Sequence, residues 1–261
     1  MTADTTPEAV RAGATANTKK IVVSDDLPAS ALDLLRAEGW TVDARSGRPV
    51  AELAADLADA DALIVRSATK VTADLLAAAP KLRIIGRAGS GVDNIDMPAA
   101  SGRGVLVVNA PGANSIAVAE HALALMLSLA RSVPAADQAM KAGKWEKKKF
   151  MGTELRGKVL GVAGLGRIGQ EVALRARSFG MTIIAHDPYV SAERAQALGI
   201  TLRTLDELCA ESDYLTLHLP STAETKGLFN AARLAACKPG LRLINTARGE
   251  DRKSTRLNSS H

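Results

Sequence analysis

The stretch that decides the fold is Lys158–Pro188, "KVLGVAGLGRIGQEVALRARSFGMTIIAHDP". It opens with a short apolar run, passes through a glycine-rich turn into a segment with helical periodicity, and closes on a second β-branched run. This order predicts a strand, a turn, a helix and a parallel strand. Such a unit is typical of a dinucleotide-binding α/β domain of the Rossmann type.

The glycines of the turn have separate predicted tasks. Gly164 permits the tight turn, Gly166 lets a pyrophosphate approach the backbone, and Gly169 lets the helix pack closely on the strand. The N-terminus of the helix offers unpaired N–H groups to the phosphates. We therefore predict that these three glycines bind the cofactor.

Asp187 indicates which cofactor is used. It closes the second apolar run, where its carboxylate can accept a hydrogen bond from a ribose 2′-hydroxyl. The same negative charge would repel a 2′-phosphate, so the sequence predicts NAD rather than NADP. The alternative is a Rossmann-like fold whose site is unused, and it leaves the glycine pattern unexplained.

The composition limits the class of protein. The chain has 261 residues, 47% of them hydrophobic and 3% aromatic, and a net charge of +5, which favours well-buried α/β cores. The basic run Lys141–Lys149 could meet phosphates, but a solvated helix end is the favoured interpretation. No nucleic-acid motif, metal-ligand cluster, secretory signal or membrane-spanning segment is recognised. We expect a soluble, cytoplasmic protein without nucleic-acid, membrane or metal partners.

Apolar runs alternate with helical patterns over most of the chain, which predicts two domains with doubly wound parallel sheets. We expect a flexible tail over 1–19, a first domain over 20–110 and a second over 111–250. The helix predicted over Ile116–Arg131 is apolar nearly all round and is expected to be buried. The segment Ser132–Gly157 is more polar and contains no clear strand.

Four segments carry a resemblance to a known family: "GRAGSGVDNID", "NAPGANSIAVAEHALALMLSLAR", "GKWEKKKFMGTELRGKVLGVAGLGRIG" and "LINTARG". Together they resemble the D-2-hydroxyacid dehydrogenase family and, within it, the enzymes that act on D-3-phosphoglycerate. The resemblance implies a flavodoxin-like substrate-binding domain, an NAD-binding Rossmann domain and a homo-oligomer. It also implies NAD-dependent oxidation of 3-phosphoglycerate to 3-phosphohydroxypyruvate, the first step of serine biosynthesis.

The resemblance also assigns site residues. Arg248 is implied to be catalytic, gripping the substrate carboxylate as a planar bidentate donor and also contacting the cofactor. Arg66 and Arg87, which the resemblance places near one site, suit a substrate with both a carboxylate and a phosphate. Each of them could instead be an ordinary turn-capping residue. The implied substrate-binding residues are Arg66, Ser67, Arg87, Ser90, Gly91 and Asn109. The further cofactor-binding residues that it implies are Arg167, Ile168, Leu219, Pro220, Thr246 and Ala247.

The end of the chain departs from the family pattern. The family places a catalytic histidine and its glutamate well downstream of the "ARG" turn, and none of His121, His186, His218 and His261 matches it. His121 is expected to be buried in its helix. We interpret 251–261 as a non-native tail after a truncated Rossmann domain, so the chain as written is predicted not to turn over substrate. The alternatives are a dehydrogenase for another 2-hydroxy acid and an NAD-binding, corepressor-like regulator.

Overall fold

Two parallel five-stranded sheets contain every strand found in residues 18–247, the part of the chain that this computed structural model describes. The first sheet belongs to a unit that ends at Pro111, and the second belongs to a unit that begins at Gly112. Helices connect the successive strands of each unit. The predicted α/β class with two doubly wound parallel sheets is confirmed.

Unit 1 contains four helices and five strands among the described residues. The strands are β1 (Lys20–Val23), β2 (Thr41–Ala44), β3 (Ala62–Val65), β4 (Ile84–Arg87) and β5 (Leu106–Asn109). The helices are α1 (Ala29–Ala37), α2 (Val50–Leu57), α3 (Ala73–Ala77) and α4 (Met97–Gly102). The strand order β2-β1-β3-β4-β5 is the flavodoxin-like one, which gathers the carboxyl ends of all strands at one edge.

The core of unit 1 explains why these runs form strands. Val22, Leu63 and Ile85 of three central strands are fully buried, and Leu57 and Leu76 cover them from the helices. The crossover helices of a parallel sheet pack on both of its faces, so the strands need apolar side chains on both faces. The continuous β-branched runs in the sequence meet that need.

Unit 2 holds α5 (Ser115–Arg131) and α6 (Val133–Lys141), followed by the second sheet. Its strands are β6 (Val159–Ala163), β7 (Thr182–His186), β8 (Thr201–Leu202), β9 (Tyr214–Leu217) and β10 (Arg242–Asn245). The other helices are α7 (Arg167–Arg177), α8 (Ala192–Ala197), α9 (Leu205–Glu211) and α10 (Ala231–Ala235). In the order β10-β9-β6-β7-β8, β7 and β8 follow on one side of β6 and β9 and β10 follow on the other. The carboxyl end of β6 is therefore the topological switch point of the sheet, as in a Rossmann fold.

The burial of α5 differs from the prediction. Ala119 and Met126 are fully buried on the face that packs in the unit 2 core, whereas Ile116, Leu125 and Leu129 are exposed. The expectation that the whole helix is buried was therefore wrong. A helix that is apolar on all sides can be buried on every face, but the core of unit 2 covers only one face of α5.

The segment after α5 has no strand but contains more helix than expected. Ser132 has a left-handed φ of 52° and ends α5, and α6 and a short 3-10 turn over Lys147–Phe150 follow. The axes of α5 and α6 differ by 64° across this break. Within the described part of the chain, no single helix is long and apolar enough to cross a membrane, and only this bent pair reaches that length and composition jointly.

Candidate functional site

Gly164 and Gly166 lie in the turn between β6 and α7, and Gly169 lies in the first turn of α7. Gly164 has a φ of +91°, and a Cβ there would lie 2.6 Å from the carbonyl oxygen of His218. A Cβ on Gly169 would overlap the carbonyl oxygen of Gly164. The backbone therefore excludes side chains at both positions, as expected for a tight turn and a closely packed helix.

Gly166 differs because the space beside it is open. A Cβ there would meet no heavy atom within 4 Å, and its φ of −69° suits any residue. Gly166 is the N-cap residue of α7, and no side chain caps this helix. The first turn of α7, which begins with Arg167 and Ile168, is therefore open to an anion. This cradle fits the pyrophosphate of a dinucleotide.

The Asp187 carboxylate is tied to the glycine turn. Its Oδ2 accepts a hydrogen bond of 2.7 Å from the Leu165 N–H, and its Oδ1 accepts one of 2.9 Å from the Tyr189 N–H. Each carboxylate oxygen can accept more than one hydrogen bond. A ribose hydroxyl therefore fits the remaining lone pairs, and the role of Asp187 as the ribose ligand stays a prediction.

The other cofactor candidates follow β9 and β10, which extend the sheet on the other side of β6. The Leu219 side chain lies 3.2 Å from the Cβ position of Gly164, and Pro220 follows it. Leu217 and Asn245, the last residues of β9 and β10, are paired. Thr246 and Ala247 therefore leave the sheet at the same end as Leu219 and Pro220. The Thr246 Oγ1 is buried without a hydrogen-bond partner among the described residues, which suits a ligand at this edge.

His218 is a neutral histidine beside the glycine turn. Its Nε2 lies 2.9 Å from the Thr216 hydroxyl oxygen, and its Nδ1 is buried with no partner in the described part of the chain. Burial lowers the pKa of the imidazole from 6.5 to about 4, because the charged form would lose its hydration. At neutral pH it adds no positive charge to the predicted cofactor site.

The remaining histidines lie in different surroundings. His121 is exposed on α5, so the expectation that it is buried was wrong, for the same reason as for the rest of that helix face. The Nδ1 of His186 lies 3.0 Å from the carbonyl oxygen of Arg203. His261, the predicted tail over 251–261 and the predicted carboxylate ligand Arg248 all lie outside the described residues.

The substrate candidates of unit 1 follow three neighbouring strands, whose order is β3-β4-β5. Parallel strands end at the same edge of a sheet, so the structure brings these residues to one edge. Arg66 and Ser67 follow β3, Arg87 ends β4 with Ser90 and Gly91 after it, and Asn109 ends β5.

Hydrogen bonds join the ends of β4 and β5. The Asn109 Nδ2 donates to the carbonyl oxygen of Ser90 at 2.6 Å, and the Ser90 hydroxyl donates to the carbonyl oxygen of Ala110 at 3.3 Å. The Arg87 guanidinium lies over Gly89, where any Cβ would overlap it. The Arg87 Nε is buried and has no partner among the described residues, which favours an anionic ligand at this loop.

The basic run Lys141–Lys149 is a solvated segment at the end of α6. The side chains of Lys141 and Lys149 are 77% and 67% exposed. They form surface ion pairs with Asp137 and Glu146, of a kind that contributes little to stability.

Two residues of unit 1 that contact the predicted site were missed in the sequence. Asp25 and Asn94 hydrogen-bond to the backbone of the loop after β3, although they lie 41 and 28 residues away from Arg66. An acid directly after the first strand was the only local signal for Asp25, and nothing in the pattern around Asn94 indicated its contacts.

Residues 123–258 match the family model described as "D-isomer specific 2-hydroxyacid dehydrogenase, NAD binding domain". Among solved structures, the TT0316 protein from Thermus thermophilus is 37% identical with a TM-score of 0.83, and the match covers 89% of this chain and 75% of that one. A D-lactate dehydrogenase from Aquifex aeolicus, complexed with NAD and lactic acid, is 30% identical with a TM-score of 0.79 over 90% of this chain and 71% of that one.

Curated relatives agree with the structural matches. The D-3-phosphoglycerate dehydrogenase of Archaeoglobus fulgidus is 50% identical over 230 residues, which are 88% of this chain and 44% of the relative. The chain thus spans under half the length of this relative. The resemblance to the D-2-hydroxyacid dehydrogenases that the sequence motifs indicated is confirmed.

Proposed function

Because this chain belongs to the D-isomer specific 2-hydroxyacid dehydrogenase family, we propose that it binds NAD in unit 2 and the acid groups of a phosphorylated 2-hydroxy acid in unit 1. The reaction we propose for the whole protein is oxidation of D-3-phosphoglycerate to 3-phosphohydroxypyruvate, the entry to serine biosynthesis. In it, the hydroxyl group of the substrate loses a proton and the carbon that carries it loses a hydride.

NAD, when bound, accepts that hydride. The open cradle at Gly166 would hold its pyrophosphate, and Asp187 would hold the adenosine ribose and select against a 2′-phosphate. The buried Thr246 hydroxyl supplies a further polar contact at the same edge of the sheet. For these residues the proposal is binding and orientation, which supply a large part of the rate of such reactions.

One observation carries the choice of a substrate with two anionic groups. Arg66 and Arg87 stand at the ends of neighbouring parallel strands, and the buried Nε of Arg87 has no acceptor among the described residues. A carboxylate and a phosphate together supply acceptors for two guanidinium groups. The role of Arg248 as a ligand of the substrate carboxylate stays part of the proposal.

Equilibrium binding tests this without requiring turnover. NADH and D-3-phosphoglycerate are both reduced, so they form a ternary complex that cannot react. With NADH saturating, we expect calorimetric titration to show D-3-phosphoglycerate binding about tenfold or more tightly than D-glycerate, because the phosphate adds charge-assisted hydrogen bonds. Equal affinity for the two acids would contradict the choice of a phosphorylated substrate.

A dehydrogenase for an unphosphorylated 2-hydroxy acid is the second candidate. It is supported by the similarity to the lactate-bound D-lactate dehydrogenase, whose chain is matched over 71% of its length. D-Lactate in the same titration separates the two. Tighter binding of D-lactate than of D-3-phosphoglycerate would favour this second function.

We also propose that the chain forms a homo-oligomer through the exposed apolar side of α5 and the segment around Trp145. Leu125 and Leu129 are exposed on α5, and the Trp145 side chain is 78% exposed in the same unit. Leu125 and Leu129 are neighbours on one face of α5, four residues apart, and contiguous exposed apolar surface of this kind marks interaction sites. Sedimentation analysis should show that Leu125→Glu dissociates the oligomer, whereas Leu34→Glu, at an exposed leucine of α1, leaves it intact. A monomeric wild type would contradict the proposal.

A further inference from the structure

The loop over Arg66–Thr69 carries two of the predicted substrate ligands but has almost no apolar packing. Arg66, Ser67 and Ala68 are exposed, and only Thr69 is partly buried. A cavity of about 460 Å³ adjoins the loop and is lined in part by Ala68 and Thr69. Because burial cannot fix such a loop, its conformation must depend on hydrogen bonds.

Asp25 binds the N–H groups at both ends of this loop. Its Oδ2 accepts from the Arg66 N–H at 2.5 Å and from the Thr69 N–H at 3.3 Å. Its Oδ1 accepts from the Thr69 hydroxyl at 2.6 Å, and that hydroxyl oxygen lies 3.0 Å from the hydroxyl of Ser24. The Asp25 residue is only 7% exposed, so these charge-assisted bonds are shielded from water.

Asn94 binds the carbonyl groups of the same two residues. Its Nδ2 donates to the carbonyl oxygens of Arg66 and Thr69, both at 2.7 Å. The two hydrogens of one amide group are therefore used on one loop. The segment that carries Asn94 is anchored in turn, because its carbonyl oxygen accepts from the Val71 N–H at 2.8 Å.

We propose that Asp25 and Asn94 are positioning residues that clamp the loop over Arg66–Thr69 in the conformation that binds the acid groups of the substrate. Each end of the loop is held by its N–H group on one side and by its carbonyl group on the other. A loop ordered before binding does not have to be ordered by the ligand, which improves affinity. This inference rests on the proposed function, because the ligand of the loop is the proposed substrate.

The test compares Asp25→Asn and Asn94→Asp with the control Asp96→Asn. Asp25→Asn removes the negative charge and replaces one of the two acceptor oxygens by an NH2 group, which faces the donors that Asp25 binds. Asn94→Asp places an acceptor against the carbonyl oxygens of Arg66 and Thr69. Asp96 makes a similar carboxylate bond, to the Ala99 N–H of α4, but has no hydrogen bond to the loop, and asparagine caps helices equally well.

We expect both clamp variants to weaken D-3-phosphoglycerate binding in the NADH complex by about tenfold or more, while NADH affinity stays within about twofold. Asp96→Asn should change neither. Hydrogen exchange of the Arg66 and Thr69 amides should accelerate in Asp25→Asn, because the charged oxygen that accepts from both amides is replaced by the more weakly accepting oxygen of a neutral amide. Thermal unfolding of all three variants shows whether each one is folded.

The outcomes separate this inference from the proposed function. Wild-type protein that binds NADH but no D-3-phosphoglycerate would contradict the proposed function, and with it the purpose of the clamp. Folded clamp variants that bind D-3-phosphoglycerate as the wild type does would overturn the clamp alone. Unchanged exchange of the two amides in Asp25→Asn would overturn it as well.

Discussion

Gly166 and Gly169, at the start of α7, should respond to the same substitution in opposite ways. In Gly169→Ala the new methyl group would overlap the carbonyl oxygen of Gly164 and lie 3.1 Å from its carbonyl carbon and 3.2 Å from Val162 Cγ1. Backbone cannot rotate away as the end of a flexible side chain can. In Gly166→Ala the methyl group meets no protein atom within 4 Å, and the local φ of −69° is allowed for alanine.

The magnitudes follow from these contacts. Overpacking against backbone costs about 1–3 kcal/mol, so Gly169→Ala should lower the free energy of unfolding by that amount. Gly166→Ala should leave the free energy of unfolding unchanged or raise it by up to about 1 kcal/mol, because alanine restricts the unfolded chain. Its methyl group would instead occupy the space proposed for the pyrophosphate, which should weaken NADH binding by about tenfold or more.

Two assays on the same samples distinguish these effects. Urea denaturation reports the free energy of unfolding, and fluorescence titration reports NADH affinity. We expect a stability loss in Gly169→Ala and an affinity loss without a stability loss in Gly166→Ala. A Gly166→Ala protein that binds NADH as the wild type does would refute the placement of the pyrophosphate, and an unaltered stability of Gly169→Ala would refute the packing argument.

Three other substitutions test single contacts of unit 2. The pKa of His218 is lowered from 6.5 to about 4, so its contribution to stability is present above pH 6.5 and is lost as the pH falls towards 4. The loss over this range is about 3 kcal/mol. His218→Gln should lose correspondingly less stability on acidification, and parallel pH profiles of the two proteins would contradict this. Asp187→Asn removes the charge expected to repel a 2′-phosphate and should shift the ratio of NADPH to NADH affinity by about tenfold or more towards NADPH. An unshifted ratio would show that Asp187 does not select the cofactor. Thr204→Ala breaks the capping box in which Thr204 and Glu207 exchange hydrogen bonds at the start of α9, and denaturation should show a loss of about 1 kcal/mol. A loss below the precision of the denaturation curves would contradict that value.

The elements of the sheets could be predicted because their signals are local. Apolar runs bounded by glycine and acidic residues marked the strands, and the glycine pattern with Asp187 marked the turn at the switch point of the second sheet. These features depend on residues that are close in the chain. The fold therefore followed from the sequence with few corrections.

Features that depend on distant residues could not be predicted in the same way. The exposed side of α5 is set by how much of the helix the unit 2 core covers, and the helix sequence carries no sign of it. α6 was missed because its sequence is short and mixed in character, and it begins after a left-handed residue, Ser132. Asp25 and Asn94 act through hydrogen bonds to backbone groups far along the chain, which no periodicity reports.

Binding of NAD by unit 2 through the glycines at the start of α7 and Asp187 can be measured without any variant. Two calorimetric titrations of the wild-type protein suffice, one with NADH and one with NADPH. We expect one NADH site per chain and an NADPH affinity weaker by about tenfold or more. Absence of NADH binding, or equal affinity for both cofactors, would contradict this expectation.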